Sequence, residues 1–398
     1  MGQFKVPEDE IKNRIKRIQQ KLVERDIDAL FVVQRVDLFY FTGTAQNGYL
    51  YIPAEGEPLL MIKKYFPRAR EESPLKEIIE INSVKNIPRY IYGFYGSMPK
   101  RVGMEFDVMP VKEFIFYDQQ IFYEQECVDA SSLIHSVRMI KSSWEIEQLE
   151  KAAELSYKTF QFVQENLAPG YTEMEFAGMM ETFSRRHGHG GQLRIRDYRA
   201  EGYPWHVLSG ESGGKVGLLD APTSGEGTSP AFPCGAGHKK IQKGEPIMID
   251  FGTMLNGFHC DETRMFAIEN MPDKAKDACK AAIELQFEIL EYVKPGQTMD
   301  ELFQISLRKA YQLGYMDQFL GPPGCKVSFV GHGIGLELVE QPIIAMGKDE
   351  EMEPGMVFAL EPKLVFKDEF AAGIESVFVV TENGYRMISK TPSEIFIV

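Results

Sequence analysis

The chain has 398 residues, more than one ordinary hydrophobic core holds, so we expect two domains. Its apolar fraction of 44% and charged fraction of 26% are typical of soluble globular proteins, and its formal net charge of −14 argues against nucleic-acid binding. No apolar run approaches the roughly 20 residues that span a bilayer, and the N-terminal residues lack a signal-peptide core. Five scattered cysteines without a CxxC pair favour reduced thiols and a cytoplasmic location.

The first part of the chain alternates helical and strand patterns. Apolar residues at helical spacing predict a helix over residues 8–26, and an uninterrupted apolar run predicts a buried strand over 29–33. Further strands are predicted over residues 49–52, 59–62, 78–81 and 101–104. This alternation predicts a small α/β domain over residues 1–135.

The pattern changes near residue 142. A capping box formed by Ser142 and Glu145 predicts a long helix that ends near residue 167, and a second helix is predicted over 173–186. Residues 187–240 are rich in Gly, Ser and Pro, which predicts a long segment without regular structure. A segment of this length is more often functional or mobile than a simple connector.

The remaining sequence predicts a second domain over residues 140–398 that mixes helices and strands. Its predicted elements are paired strands over 246–251 and 257–268, helices over 272–293 and 299–313, and further strands within 326–398. Thr298 and Glu301 form the capping box of the second of these helices.

Four carboxylates and one imidazole adjoin the predicted strands of this second domain. They are Asp250, Asp261, His332, Glu361 and Glu375. A hairpin turn at Asn256-Gly257 would make the two aspartates neighbours, and the histidine lies in the sequence GHGIG. None of these residues alone distinguishes a metal ligand from a turn cap or an exposed side chain. Their joint order and spacing predict a shared site.

A carboxylate beside an apolar strand is costly to bury unless it is paired or bound to a metal. Four such carboxylates would repel one another without cations between them. The pattern therefore predicts two divalent ions, and oxygen ligands with one imidazole favour Mn²⁺, Fe²⁺, Co²⁺ or Zn²⁺. Two ions roughly 3.5–4 Å apart can hold a bridging hydroxide.

Four segments resemble, in the same order, the motifs of the M24 metallopeptidases, the group of methionine aminopeptidase, Xaa-Pro aminopeptidase and prolidase. They read DFGTMLNGFHCDETR, GHGIGLELVEQP, MEPGMVFALEP and GIESVFVVTENG. The resemblance covers roughly residues 135–398, and the first 135 residues resemble a creatinase N-terminal domain. It implies an α+β "pita-bread" domain after a smaller α/β domain, the five ligands named above, and a homodimer.

The resemblance also implies a function. The expected activity is that of a metal-dependent hydrolase similar to Xaa-Pro dipeptidase or aminopeptidase, in which a hydroxide bridging two metals attacks the amide bond. Glu361 would bind metal and accept a proton, and Arg264 would brace the carboxylates. The expected partners are a short peptide or small molecule, without nucleic acid or membrane.

Two histidines of the family's peptidases are missing from the matching positions. Val339 replaces one, and Pro233 or Cys234 lies near the place of the other. Such groups typically contribute 10²–10⁴ in rate. We expect His206, which precedes a Ser-Gly pair, to serve as the catalytic substitute. The other histidines considered for this role are His187, His189 and His259.

These departures leave three functions open. The first is the Xaa-Pro peptidase activity, and the second is a hydrolase or lyase that acts on a small non-peptide molecule with the same fold. The third is a binding protein without catalysis, which the retention of all five implied ligands argues against. Fold alone does not distinguish among them.

Overall fold

The structure is a computed structural model that describes residues 4–197, 202, 205–217 and 221–398. The chain divides into two compact units, Met1–Arg138 and Met139–Val398. None of the helices in the described part of the chain combines the length and apolar character that crossing a membrane requires.

The first unit is built on a mixed six-stranded sheet. Its strands are β1 (Ala29–Val32), β2 (Gly48–Pro53), β3 (Leu59–Ile62), β4 (Glu77–Glu80), β5 (Arg101–Met104) and β6 (Glu126–Asp129), in the spatial order β4-β3-β2-β1-β5-β6. Its helices are α1 (Glu8–Glu24), α2 (Arg35–Thr42), α3 (Phe66–Glu72), α4 (Ile87–Tyr95), α5 (Val111–Gln120) and α6 (Ser131–Met139). Phe31 of β1 packs edge-on against Tyr117 and Phe122 in the buried core of this unit.

The predicted first helix and the predicted strands of this unit are confirmed within a few residues. Helix α1 buries the apolar side chains that predicted it, since positions three and four apart share one helix face. These side chains are Ile11, Ile15, Ile18 and Leu22.

Glu105, directly after β5, is a fully buried carboxylate of the first unit. Its Oε2 accepts hydrogen bonds from the N–H groups of Val33 and Gln34 at 2.8 and 3.0 Å. Burial and the nearby Asp37 carboxylate nevertheless raise the pKa of Glu105 well above its ordinary value. Asp37 is itself paired with Arg138 at 2.7 Å. Glu105 therefore binds its proton more tightly in the folded state than in the unfolded state.

We expect Glu105 to make the protein less stable as pH rises. A raised folded-state pKa gives stability that is present below the unfolded-state pKa and is lost as pH rises through the folded-state value. Glu105→Gln keeps an acceptor oxygen and removes the ionisation, so its thermal unfolding temperature should fall less than that of the wild type between about pH 5 and 8. Parallel profiles of unfolding temperature against pH would contradict this assignment.

The second unit contains two helix-covered sheets and a small hairpin. The first sheet has the order β17-β9-β8-β7 and the second β11-β10-β12-β15-β16. The strands are β7 (Trp205–Ser209), β8 (Ile247–Leu255), β9 (Phe258–Ala267), β10 (Phe329–Gly333), β11 (Glu340–Ala345), β12 (Val357–Leu360), β13 (Lys363–Phe366), β14 (Phe370–Gly373), β15 (Ser376–Thr381), β16 (Gly384–Met387) and β17 (Ile395–Ile397). Strands β13 and β14 form the hairpin.

The helices of the second unit begin where the sequence predicts. They are α7 (Ser143–Asn166), α8 (Glu173–Arg186), α9 (Asp273–Leu290) and α10 (Met299–Gln312). The capping boxes predicted at α7 and α10 are both present. In each, a Ser or Thr side chain and a Glu side chain satisfy N–H groups that the first helical turn leaves without partners.

Alternation along β8 separates a packed face from a site face. Ile249 and Phe251 face the core shared with α7 and α8, whereas Asp250 between them points to the opposite face. In β9, Phe266 joins that core and Asp261 lies on the site face by the same alternation. One face of this sheet therefore packs in the hydrophobic core, and the opposite face carries the polar residues of the site.

The prediction that residues 187–240 lack regular structure is wrong at β7. This strand is a five-residue run, Trp205–Ser209, with every residue buried. It pairs with β8 over its whole length. Glycine and proline on both sides conceal such a short strand in the sequence, whereas pairing with a long neighbour stabilises it in the fold.

Candidate metal centre

Strands β7, β8 and β9 carry a row of site residues on one face of their sheet. The register pairs His206 with Asp250 and Asp250 with Thr263. Side chains of residues paired across strands lie on the same face. Asp261 lies opposite Gly252, two residues beyond Asp250, so its side chain is on this face as well. The hairpin therefore makes the two aspartates diagonal neighbours, as the sequence predicted.

The second sheet supplies the imidazole and two glutamates. His332 lies in β10, and Glu361 directly follows β12, where its N–H donates to the Val330 carbonyl at 2.9 Å. Glu375 precedes β15 and exchanges backbone hydrogen bonds with Thr263 of β9, at 3.2 and 3.3 Å. This bridge connects the two sheets at the site.

The side chain of Lys363 lies inside the resulting cluster. Its Nζ is 2.9 Å from Asp250 Oδ2, 2.8 Å from Glu361 Oε2 and 3.1 Å from Glu375 Oε2. Such distances are typical of charge-assisted hydrogen bonds. The five residues predicted as ligands therefore converge, together with an ammonium group that the sequence analysis missed. A signal for it was present, because Lys363 lies two positions after Glu361 at the start of an apolar strand pattern.

One half of the cluster fits a divalent cation. Asp261, His332 and Glu375 each offer a donor atom within 4.8 Å of the others, and all three are buried. Glu375 Oε1 has no hydrogen bond to the described residues. His332 Nδ1 is 3.0 Å from the Gly333 carbonyl oxygen, so it donates there and leaves Nε2 to face the carboxylates. An orphaned carboxylate oxygen beside an imidazole held by its other nitrogen suits a metal ion.

Glu361 contacts both halves of the cluster. Its Oε1 is 3.6 Å from His332 Nε2, and Glu375 Oε1 is 3.7 Å from the same nitrogen. Both separations are too long for hydrogen bonds and leave these oxygens turned toward the imidazole. Glu361 Oε2 instead faces Lys363.

The other half of the cluster does not fit a second cation. The carboxylate oxygens that would bind it already accept hydrogen bonds from Lys363. A transition-metal ion bound to the same oxygens would stand at about 2.0–2.2 Å from them, in space that the ammonium group occupies. The residues present therefore suit one of the two ions that the sequence implied and not the other.

Burial and charge shift the protonation of the cluster. Burial, supported by the Glu375 carboxylate, raises the pKa of Asp261 well above its ordinary value. Burial also raises the pKa of Glu361, against the opposing effect of Lys363. Burial alone would raise the pKa of Glu375, but Lys363 and His332 lower it to about 2. Burial would lower the pKa of His332, yet the glutamates raise it to about 9. The cluster therefore favours positive charge beyond that of Lys363.

His206, the predicted catalytic substitute, lies beside the cluster. It is opposite Asp250 in the sheet and is 9% exposed. Burial lowers the pKa of its imidazole, and the Asp250 carboxylate opposes that shift.

The other three candidate histidines make hydrogen bonds to the backbone. His189 bonds to one carbonyl and one N–H group, at 3.1 and 2.7 Å. His259 does the same, with both distances at 3.1 Å. His187 donates to the Phe183 carbonyl at 2.8 Å. These hydrogen bonds indicate that the three histidines stabilise the local backbone.

The positions where the resemblance expects two further histidines hold other side chains in the structure. Val339 lies in the loop before β11 and is half-buried, and Cys234 is 2% exposed beside the half-buried Pro233. A valine side chain neither donates nor accepts a hydrogen bond.

Arg264 braces the backbone near the cluster. Its guanidinium donates to the backbone carbonyls of Glu375, Thr391 and Pro392 and forms a buried ion pair with Glu262 at 3.3 Å. It therefore holds the Glu375 backbone in place. The Glu375 side chain is fixed by Thr263 Oγ1, which donates a 3.0 Å hydrogen bond to its Oε2.

Comparison with known proteins identifies the family of this chain. The model of metallopeptidase family M24 matches residues 147–382, and that of the creatinase/prolidase N-terminal domain matches residues 14–140. The Xaa-Pro dipeptidase of Pyrococcus furiosus is 26% identical over 394 residues, covering 97% of this chain and 100% of the relative. An uncharacterized peptidase of Bacillus subtilis is 25% identical over 388 residues, covering 97% and 100%.

Solved structures support the fold. The Xaa-Pro dipeptidase from Bacillus anthracis superposes with a TM-score of 0.83 at 24% identity, covering 98% of this chain and 100% of that one. The X-Pro aminopeptidase from Thermotoga maritima gives a TM-score of 0.80 at 24% identity, covering 96% and 99%. The predicted α+β pita-bread fold with a creatinase-type N-terminal domain is thereby confirmed, as is the resemblance read from the motifs. The chain is a hydrolase of metallopeptidase family M24.

Proposed function

We propose that the cluster hydrolyses the amide bond of short Xaa-Pro substrates. The observation that carries this proposal is the buried group of Asp261, His332 and Glu375, in which one carboxylate oxygen has no hydrogen bond to the described residues. The similarity to relatives named Xaa-Pro dipeptidases supports the substrate class.

The proposed cation ligands are Asp261, His332 and Glu375, with Glu361 beside them. The mixture of oxygen donors and one imidazole suits Mn²⁺, Co²⁺, Fe²⁺ or Zn²⁺. A divalent ion at this position supplies Lewis acidity for the attack of water on a carbonyl group. Thr263 and Lys363 both donate to Glu375 Oε2, which leaves Oε1 free to turn toward the ion.

Glu361 is the proposed proton acceptor. It is 6% exposed, and Lys363 fixes its Oε2 at 2.8 Å while Oε1 faces the proposed cation side. A carboxylate held in this way can take a proton from the attacking water and deliver it to the leaving nitrogen. His206, on the same face as Asp250, is proposed to donate a hydrogen bond to the substrate oxygen as negative charge develops there.

Hydrolysis of the dipeptide Ala-Pro tests the proposed function. We expect cleavage by protein loaded separately with Mn²⁺, Co²⁺, Fe²⁺ or Zn²⁺, and loss of cleavage after chelation. Ala-Ala serves as the matched control substrate and should be cleaved more slowly. The proposal fails if protein shown to contain metal cleaves no Xaa-Pro dipeptide with any of the four ions.

A second candidate function is hydrolysis or cleavage by elimination of a small non-peptide molecule. The specific observation in its favour concerns the two imidazoles that the resemblance expects: Val339 stands at the place of one, and Pro233 or Cys234 lies near the place of the other. Those imidazoles would hold the substrate and stabilise or protonate the reacting amide. Their replacement therefore suits a substrate other than a peptide. Metal-loaded protein that is inactive on every dipeptide would favour this candidate.

A further inference from the structure

Lys363 presents its ammonium group to carboxylates that the resemblance implies as metal ligands. It contacts one oxygen of each of three carboxylates, those of Asp250, Glu361 and Glu375, at 2.8 to 3.1 Å. The lysine is only 3% exposed, so these carboxylates replace water as its hydrogen-bond partners. Three acceptors match the three donors of an ammonium group.

We propose that the Lys363 ammonium permanently takes the place of one of the two divalent ions, so that each chain binds a single divalent cation. This inference rests on the proposed function only in placing that cation at Asp261, His332 and Glu375. The Lys363 ammonium group is then a fixed positive charge within the metal centre.

The contacts exclude a second ion beside the lysine. Two of the three oxygens that hold Lys363 belong to Glu361 and Glu375, which also face the first cation position. A second ion bound to the oxygens that contact Lys363 would require a metal–oxygen distance of about 2.0–2.2 Å. It would share these oxygens with Nζ, which is about 3 Å from them, and the two positive charges would repel each other.

One divalent ion and the Lys363 ammonium group offset most of the negative charge of the cluster. With a divalent ion bound, the carboxylates of Asp250, Asp261, Glu361 and Glu375 carry up to four negative charges beside one ammonium group. One divalent ion and the ammonium together leave one net negative charge, whereas two divalent ions and the ammonium would leave one net positive charge. A second ion would therefore replace a net charge of −1 by one of +1 and would bring the buried cluster no closer to neutrality.

The surrounding structure holds the lysine in place. Strand β13 pairs Lys363 with Gly373, and a Cβ atom at Gly373 would come within 2.6 Å of Lys363 Cγ. Because Gly373 has no side chain, the aliphatic part of the Lys363 side chain fits beside it. The Lys363 carbonyl also accepts a hydrogen bond from the Leu320 N–H at 2.9 Å. Moving Nζ out of the cluster would take one hydrogen-bond donor from each of three carboxylates.

Counting bound manganese tests the proposal. The purified full-length protein is stripped with chelator, reloaded with Mn²⁺ and desalted, and manganese per chain is measured by elemental analysis. We expect one ion per chain and the six-line electron paramagnetic resonance spectrum of isolated Mn²⁺. For Lys363→Ala we expect a rise to two ions and the broad spectrum of a coupled pair, and Lys363→Arg, which keeps the charge, should remain at one.

Each outcome is informative without any assay of hydrolysis. Two ions per chain in the wild type, or none, would overturn the proposal even if a lysine variant failed to fold. A folded Lys363→Ala variant that still binds one ion would overturn it as well. Failure of the proposed function would appear differently, as one ion per chain in a protein that cleaves no Xaa-Pro dipeptide.

Discussion

Glu361→Gln should lower kcat for an Xaa-Pro dipeptide by about two to four orders of magnitude, the usual contribution of a general acid–base group. The amide keeps the size of the side chain but cannot accept a proton from water. It also weakens the contact with Lys363, which now holds Glu361 Oε2 at 2.8 Å. Steady-state kinetics on metal-loaded protein would measure this loss.

Glu369→Gln is a matched control for this substitution. Glu369 lies in the exposed turn between β13 and β14, where it pairs with Lys274 on the surface. Surface ion pairs contribute about 0–1 kcal/mol to stability, so the variant should retain activity and folding. If Glu361→Gln were as active as the wild type, Glu361 would not be the proton acceptor of the reaction.

Asp261→Asn should weaken binding of the divalent ion by more than about 100-fold, because loss of a ligand exceeds the typical cost of changing a group that only supports a ligand. Asp261 is buried, and its carboxylate lies with His332 and Glu375. Isothermal titration calorimetry, in which Mn²⁺ is added to the metal-free variant, measures the affinity. Circular dichroism would show whether the variant is folded.

Asp250→Asn distinguishes the two halves of the cluster. Asp250 Oδ2 is 2.9 Å from Lys363 Nζ, and Asp250 is not one of the three residues whose donor atoms lie within 4.8 Å of one another. We therefore expect this variant to keep one bound ion with much less loss of affinity than Asp261→Asn. Equal losses of affinity in the two aspartate variants would contradict the division of the cluster into a cation half and a lysine half.

The sequence predicted those site residues that adjoin long, regular elements. Asp250 and Asp261 could be paired because both strands of their hairpin have clear apolar patterns and a turn at Asn256-Gly257. Both turn residues have positive φ, 54° and 90°, as a two-residue hairpin requires. The order of motifs then indicated His332 and the two glutamates, and the structure brings all five together.

The contact between sheets could not be predicted in this way. The bridge from Thr263 to Glu375 joins residues 112 positions apart, and no local pattern sets such a register. Lys363 was missed for a related reason. A lysine at the start of a strand ordinarily reaches solvent, and only the position of Gly373 opposite it and the carboxylates around it direct its ammonium inward.

The most direct test of this account is anomalous diffraction from crystals of the Mn²⁺-loaded protein. We predict one strong anomalous peak, bounded by Asp261, His332 and Glu375, with Lys363 Nζ still within hydrogen-bond distance of the other carboxylates. Two peaks of similar height, with the Lys363 side chain displaced from the cluster, would contradict it.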